Sequence, residues 1–262
     1  MLGAFLGDIS GSRFEFGGIK SKVFRLFTDE CVPTDDSVLT AAVAETCMGA
    51  DLHDEEAFKQ RLAWELKRFA RAYPDAGYGG AFARWVRSNR DEPYGSFGNG
   101  SAMRVSPVAW AAASLDEAER LAEWSAAVTH NHPEGIKGAC AVAAAIYLAR
   151  DGATKDEIRQ YIASNYYDLG MTVDGIRPGY DFDVTCQGSV PQAIVCFLEG
   201  ESYEDTVRNA ISLGGDTDTQ AAIAGSIAEA FFGIPDEIAE EGMEFLDDVL
   251  LDVYDRFKEQ FM

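Results

Sequence analysis

The sequence predicts an all-α fold, a compact multi-helix domain. Helical periodicity dominates the 262 residues, strand alternation is weak, and no internal repeat, low-complexity tract or Ser/Pro-rich linker divides the chain. One domain over residues 1–262 is therefore expected, and that length is enough to bury a substantial core.

The helices follow in order. Leu39, Val43 and Cys47 form one stripe. Phe58, Leu62, Leu66 and Phe69 form a second, flanked by Lys59, Arg61, Lys67 and Arg68. "PEGIKGACAVAAAIYLAR" starts with Pro133 and Glu134, both suited to a first turn, and then becomes almost wholly apolar, which predicts a central buried helix. "TQAAIAGSIAEAFFG" is rich in Ala and Gly, packs closely, and stops at Gly233 and Pro235. Phe245, Val249, Val253 and Phe257 give a last stripe, and Glu237, Glu240, Glu241, Glu244, Asp247 and Asp248 decorate the same helix. "RPGYDFDVTCQG" alternates weakly between Gly and Pro and reads as an extended loop. Long loops are expected near residues 11–34, 73–80, 87–100 and 167–189, where function often resides.

The chain carries 47% hydrophobic and 25% charged residues with a net charge of −22. Such acidity opposes binding to a nucleic-acid backbone, while a bound metal could still attract a small anionic ligand. The five cysteines include no CxxC and read as reduced, buried side chains. No apolar run reaches membrane-spanning length, and "MLGAFLGDISGSRFE" lacks the basic leader and apolar length of a signal peptide, so a cytoplasmic protein with no membrane contact is expected.

Two clusters of oxygen ligands stand before small-residue helices. "PTDDSVLTAAVAE" sets Thr34, Asp35 and Asp36 at a helix start, and "LGGDTDTQAA" sets Asp216, Thr217, Asp218 and Thr219 at another. A cap explains one oxygen at each start. It does not explain four crowded carboxylates. Carboxylates and hydroxyls are hard ligands that suit Mg²⁺ or Mn²⁺, and this set has charge enough for two divalent cations. Spacing alone does not show that the clusters meet.

"YGSFGNGSAMRVSP" puts three glycines in six residues. They permit close approach of backbone to a ligand and could expose N–H groups to a phosphate, or simply form a turn. Phe97 could stack on a base or pack internally; Asn99 could bond a ligand or hold a turn. "THNHPEG" carries His130 and His132, and His130 could donate to a phosphate or a sugar hydroxyl, or bond to backbone. His53 lies at a helix start and receives no function.

Taken together and in order, "GAFLGDISGSRFE", "TDDSVLT", "GSFGNGSAMRVSP", "THNHPEGIKGA", "CQGSVPQAIVCFLEG" and "AISLGGDTDTQAAIAGSIAEAFFGIP" resemble the ADP-ribosylglycohydrolases over nearly the full length. The resemblance implies an all-α fold with a metal-containing cleft, a binuclear Mg²⁺ or Mn²⁺ centre at its base having the ligands Thr34, Asp35, Asp36, Asp216, Asp218 and Thr219. It implies ligand contacts from Ser96, Phe97, Gly98, Asn99, Gly100 and His130. Glu15 matches a mobile glutamate that gates the cleft in some members, and proton transfer falls to Glu15, Asp35 or Asp36. The implied reaction cleaves the bond between C1″ of ADP-ribose and an acceptor, on an ADP-ribosylated protein or a small-molecule conjugate, with oxocarbenium-like character at C1″. "GSFGNG" with "SAMRV" looks like the serine- and O-acetyl-ADP-ribose-cleaving branch, whereas "THNHP" looks like the arginine-cleaving branch. A non-catalytic ADP-ribose-binding module, a crystallin-like structural relative and a generic two-metal phosphohydrolase are the alternatives. The full oxygen set argues against the first two.

Overall fold

Gly3, Gly7 and Gly11 recur every fourth residue and make a smooth strip along the first helix, which lets another backbone approach very closely. A computed structural model describing residues 1–262 shows what uses that strip. The chain forms fifteen helices: α1 (Leu2–Ser12), α2 (Asp35–Gly49), α3 (Glu55–Ala72), α4 (Gly80–Arg87), α5 (Gly100–Met103), α6 (Ser106–Ala111), α7 (Leu115–Ala127), α8 (Pro133–Arg150), α9 (Lys155–Asn165), α10 (Val173–Ile176), α11 (Cys186–Glu199), α12 (Tyr203–Ser212), α13 (Thr217–Phe232), α14 (Asp236–Met243) and α15 (Asp248–Phe261). No strand forms; a single antiparallel bridge joins Gly98 and Thr185. The all-α expectation holds.

Helix α13 is the axis of the molecule. It is buried along almost its whole length and is surrounded by α1, α8, α11 and α12. The glycine strip of α1 faces it: a Cβ on Gly7 would lie 2.1 Å from the Ala221 carbonyl oxygen, and one on Gly11 would lie 2.5 Å from that of Thr217. Helix α8 is buried as its composition requires, and α2 packs against α1, α3, α6 and α15. The buried apolar side chains form one continuous cluster from Met1 to Phe257.

Side-chain caps set the helix starts. Asp54, Ser114, Thr154, Thr185 and Ser202 each accept from an amide of the first turn, and Thr154 with Glu157 completes a capping box. Asp247 does the same, which corrects one expectation. The C-terminal stripe does not lie on one helix. Asp247 Oδ1 accepts from the amides of Val249 (3.1 Å) and Leu250 (2.9 Å), so α14 ends at Met243 and α15 begins anew at Asp248. Phe245 then falls outside both helices, Val249 is exposed, and the acidic residues are shared between two helices and their connection. A carboxylate that caps a new turn outcompetes continuation of the old one. The loop boundaries shift similarly: α1 runs through Ser12, the short α10 interrupts the 167–189 segment, and Cys186, placed in a loop by its sequence, starts α11 behind Thr185.

Candidate functional site

Three helices deliver acids to one point. The N-terminus of α2 brings Thr34, Asp35 and Asp36; the start of α13 brings Asp216, Asp218 and Thr219; α1 brings Asp8. The close α1–α13 approach forces the third contribution. Asp8 and Gly11 share the α1 face region that meets Thr217 and Asp218, so a wider helix separation would withdraw the carboxylate.

The two sequence clusters do meet. Thr219 donates from its hydroxyl to Asp36 Oδ2 at 3.1 Å, and Thr34 Oγ1 lies 3.5 Å from Asp218 Oδ2. Oxygens of Asp8, Asp36 and Asp218 lie within 4.8 Å of one another, and so do those of Glu15, Asp216 and Asp218. Asp218 therefore belongs to both triplets. Asp35 belongs to neither; it faces the cleft beside Gly77.

Asp8 had no functional reading in the sequence, although a single acid inside the apolar, glycine-rich "LGAFLGDISGS" is the pattern that marks it. Its role is clear from its bonds. Asp8 Oδ2 accepts from the amides of Thr34 (2.9 Å) and Ser37 (3.0 Å) and from the Ser37 hydroxyl, and Oδ1 accepts from Thr34 Oγ1 at 2.7 Å. With both oxygens engaged, Asp8 anchors the N-terminus of α2 and holds the Thr34–Asp36 segment in place. Asn99 serves the other cluster, donating from Nδ2 to Asp216 Oδ2 at 2.6 Å.

Electrostatics decide what the cluster needs. Burial raises the Asp8 carboxyl to about 6 against the hydrogen bonds that lower it. Burial, then Asp216 and Asp8, raise Glu15 to about 7. Burial, then Asp8 and Asp216, raise Asp35 to about 8. Burial chiefly, reinforced by neighbouring acids, pushes Asp36 and Asp218 well up, and burial raises Asp216 despite its hydrogen bonds. Asp36 Oδ1 and Asp218 Oδ1 are buried with no hydrogen-bond partner. Buried acceptors left unpaired are costly. The donor set contains only oxygen, is concave and negative, and has two orphaned carboxylate oxygens where the triplets join; it fits a hard divalent cation such as Mg²⁺ or Mn²⁺.

Above the acids opens a cleft of about 400 Å³, within the range of small-molecule sites. Glu15, Asp35, Asp36, Asp216, Asp218 and Thr219 line its acidic part; Ser96, Gly98, Asn99, Gly100 and His130 also line the cleft, with Asn99 joining this loop to Asp216. Thr34 supports the floor without lining it, and Phe97 is exposed outside the lining, its ring 5.2 Å from that of His132. The glycine loop is more tightly tied than a free phosphate nest would be. The Gly98 amide donates to Ser96 Oγ (3.1 Å) and the Asn99 amide to the Val184 carbonyl (2.8 Å), so neither N–H is available to an anion. The glycines serve close approach instead: a Cβ on Gly100 would meet His130 Nε2 at 3.2 Å. Tyr94, Arg104, Phe182 and Val184, which carried no signal in the sequence, also line the cleft, as does the segment from Gly77 to Phe82 in part. Their positions depend on loop folding, and Arg104 in "SAMRV" has no periodic cue.

The sequence profile of the ADP-ribosylglycohydrolase family matches residues 1–261. The chain belongs to this family. Among its relatives, ADP-ribosylhydrolase ARH3 of Mus musculus is 29% identical, with 89% of this chain and 83% of that protein aligned. ARH3 of Homo sapiens is also 29% identical, over 92% and 86% of the two chains. ADP-ribosylarginine hydrolase Tri1 of Pseudomonas putida is 26% identical, over 89% and 70%. A solved "ADP-ribosylglycohydrolase-related protein complex" chain superposes with a TM-score of 0.65 at 22% identity, covering 97% of this chain and 96% of that one, and so shares the ADP-ribosylglycohydrolase fold.

Proposed function

We propose that this protein hydrolyses the glycosidic bond between ADP-ribose and an acceptor, a protein side chain or a small-molecule conjugate, releasing ADP-ribose. Two divalent cations, Mg²⁺ or Mn²⁺, would be held by Thr34, Asp35, Asp36, Asp216, Asp218 and Thr219. The observation that carries the reading is the junction of the two acid clusters at Asp218, with the Asp36 and Asp218 oxygens unpartnered beneath a cleft. Membership of the family and the names of its ARH3 and Tri1 relatives supply the substrate class.

Bound cations supply Lewis acidity and a template for the distal-ribose diol. The remaining chemistry belongs to the chain. His130 and the Ser96–Gly100 loop would bind the body of the ADP-ribose along the part of the cleft next to Asp216, with C1″ near the carboxylates. The carboxylates stabilise the positive character that develops at C1″ as the acceptor departs. Glu15 is half-buried at the acid end beside Asp216 and Asp218, at the mouth of the cleft, so Glu15 is the candidate to deliver a proton to the departing acceptor atom. Asp35 and Asp36 are the candidates to receive the proton of the attacking water. The balance is one water consumed, the acceptor released with a hydrogen on its nitrogen or oxygen, and ADP-ribose freed.

All five cysteines are buried and unpaired, which supports a reducing compartment such as the cytoplasm; no helix is long and apolar enough to cross a membrane. The test is product analysis by mass after incubation with arginine- and serine-ADP-ribosylated peptides, with Mg²⁺, Mn²⁺ or EDTA. Free ADP-ribose that disappears with EDTA is expected. AMP as the product would move the cleavage to the diphosphate and overturn the proposal.

A further inference from the structure

Arg104 is among the largest fully buried side chains in the protein, and no carboxylate forms an ion pair with it. Its Nη2 donates to Thr129 Oγ1 at 2.7 Å and to the Ser125 carbonyl at 3.3 Å. Thr129, also fully buried, places the same Oγ1 2.7 Å from His130 Nδ1. Three side chains thus stand in line from the core to the cleft wall. The far ring nitrogen, His130 Nε2, lies beneath Gly98 and Gly100 and makes no hydrogen bond within the protein.

Donor and acceptor counting orients this line. A guanidinium only donates, so Thr129 Oγ1 accepts from Arg104. With one lone pair taken by Arg104 the hydroxyl is polarised as a donor, and Nδ1, 2.7 Å away, is the close acceptor for its single hydrogen, with the Tyr94 hydroxyl the competing one. When that hydrogen goes to Nδ1, the nitrogen is unprotonated. A neutral imidazole with an accepting Nδ1 carries its hydrogen on Nε2. Protonation of the ring would place a second hydrogen against the Thr129 hydroxyl and a second cation beside buried Arg104. Burial first and the guanidinium second accordingly push the imidazole well below its ordinary range.

We propose that Arg104 and Thr129 are positioning residues that lock His130 as the neutral Nε2–H tautomer, so that the cleft wall presents one fixed donor to an oxygen of the bound ADP-ribose. His130 then binds and orients; it neither accepts nor donates a proton during turnover. The ligand in this statement rests on the proposed function, whereas the tautomer does not.

Two measurements separate the two. Long-range ¹H–¹⁵N correlation spectra of the ¹⁵N-labelled ligand-free full chain report each histidine ring directly, with only three to assign, and His130→Gln identifies the relevant set. We expect Nδ1 to resonate as an unprotonated nitrogen and Nε2 as a protonated one, unchanged from pH 5.5 to 8.5. Thr129→Val keeps the shape and removes the hydroxyl; the ring is expected to populate both tautomers, and calorimetric ADP-ribose affinity is expected to fall about five- to tenfold, the scale of one hydrogen bond. Thr129→Ser should restore both. Arg104→Met should release the ring and Arg104→Gln, which keeps a donor, should restore it; if Arg104→Met fails to fold, Thr129→Val and Thr129→Ser still decide the relay. Protonated Nδ1 in the wild type, or an unaltered ring in Thr129→Val, overturns the proposal. A wild type with the expected tautomer but no ADP-ribose binding overturns the functional reading and leaves the relay standing.

Discussion

Gly7 of α1 lies directly against Ala221 of α13, so close that a Cβ at Gly7 would stand 2.1 Å from the Ala221 carbonyl oxygen. This contact places Asp8, the next residue, beside Asp218. Gly7→Ala therefore attacks stability and site together. The two helices must separate, and the overpacking is expected to cost about 1–3 kcal/mol. At this chain length that lowers the melting temperature by about 3–10 °C. Thermal unfolding followed by circular dichroism checks it; an unchanged midpoint would show that α1 moves without cost.

Asp218 joins both acid triplets. Asp218→Ala is expected to reduce ADP-ribose release at least a hundredfold and to weaken Mn²⁺ binding, measured by calorimetry on the folded variant. Retained Mn²⁺ affinity would remove Asp218 from the cation site.

Asn99 holds Asp216 through its Nδ2 donor. Asn99→Asp replaces that donor with a further acceptor and charge. We expect turnover to fall tenfold or more at low Mg²⁺ and to recover partly as Mg²⁺ is raised, because the lost donor holds the cation ligand Asp216. Equal loss at every Mg²⁺ concentration would leave Asn99 a substrate contact with no part in holding the cation.

Glu15 carries the proton-delivery assignment. Glu15→Gln is expected to lower kcat at least tenfold while ADP-ribose affinity changes less than threefold, with the largest deficit for acceptors that leave poorly. Wild-type turnover would reduce Glu15 to a structural part of the cleft mouth.

The acid cluster also predicts how stability depends on pH when cations are chelated. Asp8, Glu15 and Asp35 stand at about 6, 7 and 8 in the fold, against ordinary carboxyl values near 4. Between about pH 4 and 8 the native state binds more protons than the unfolded chain, so its stability is greatest at the acid end and falls as pH rises through those values. In EDTA the melting temperature is expected to drop from pH 5 to pH 8.5. In excess Mg²⁺ the decline should flatten, because the cation takes over the role of the protons. A rise with pH in EDTA would contradict the cluster's electrostatics.

Much of the candidate site was legible in the residues themselves. "TDD" and "DTDT" announced themselves because four carboxylates before two small-residue helices exceed what capping needs, and "THNHP" drew attention by histidine scarcity. Phe97 shows the limit: its identity suggested a stacking partner, yet its ring packs on His132 beside the cleft rather than lining it. Asp8 and Arg104 show the reverse. Neither stood out in the chain, and each organises a cluster only because distant segments converge on it.

The sequence by itself determined the helices, through apolar periodicity, caps and glycine spacing, and it determined the chemical class of the ligands, through oxygen-bearing side chains set before helix starts. Those properties are local and survive in any arrangement of the helices. Tertiary structure alone decided that Asp36 and Asp218 share one site, that Asp8 anchors α2, that the loop amides of Gly98 and Asn99 are already engaged, and that Thr129, itself held by Arg104, turns the His130 ring toward the cleft. Each arrangement needs separate segments of the chain to meet within hydrogen-bonding or ligand distance, and the close packing of α1 on α13 is what brings the acid clusters to that distance.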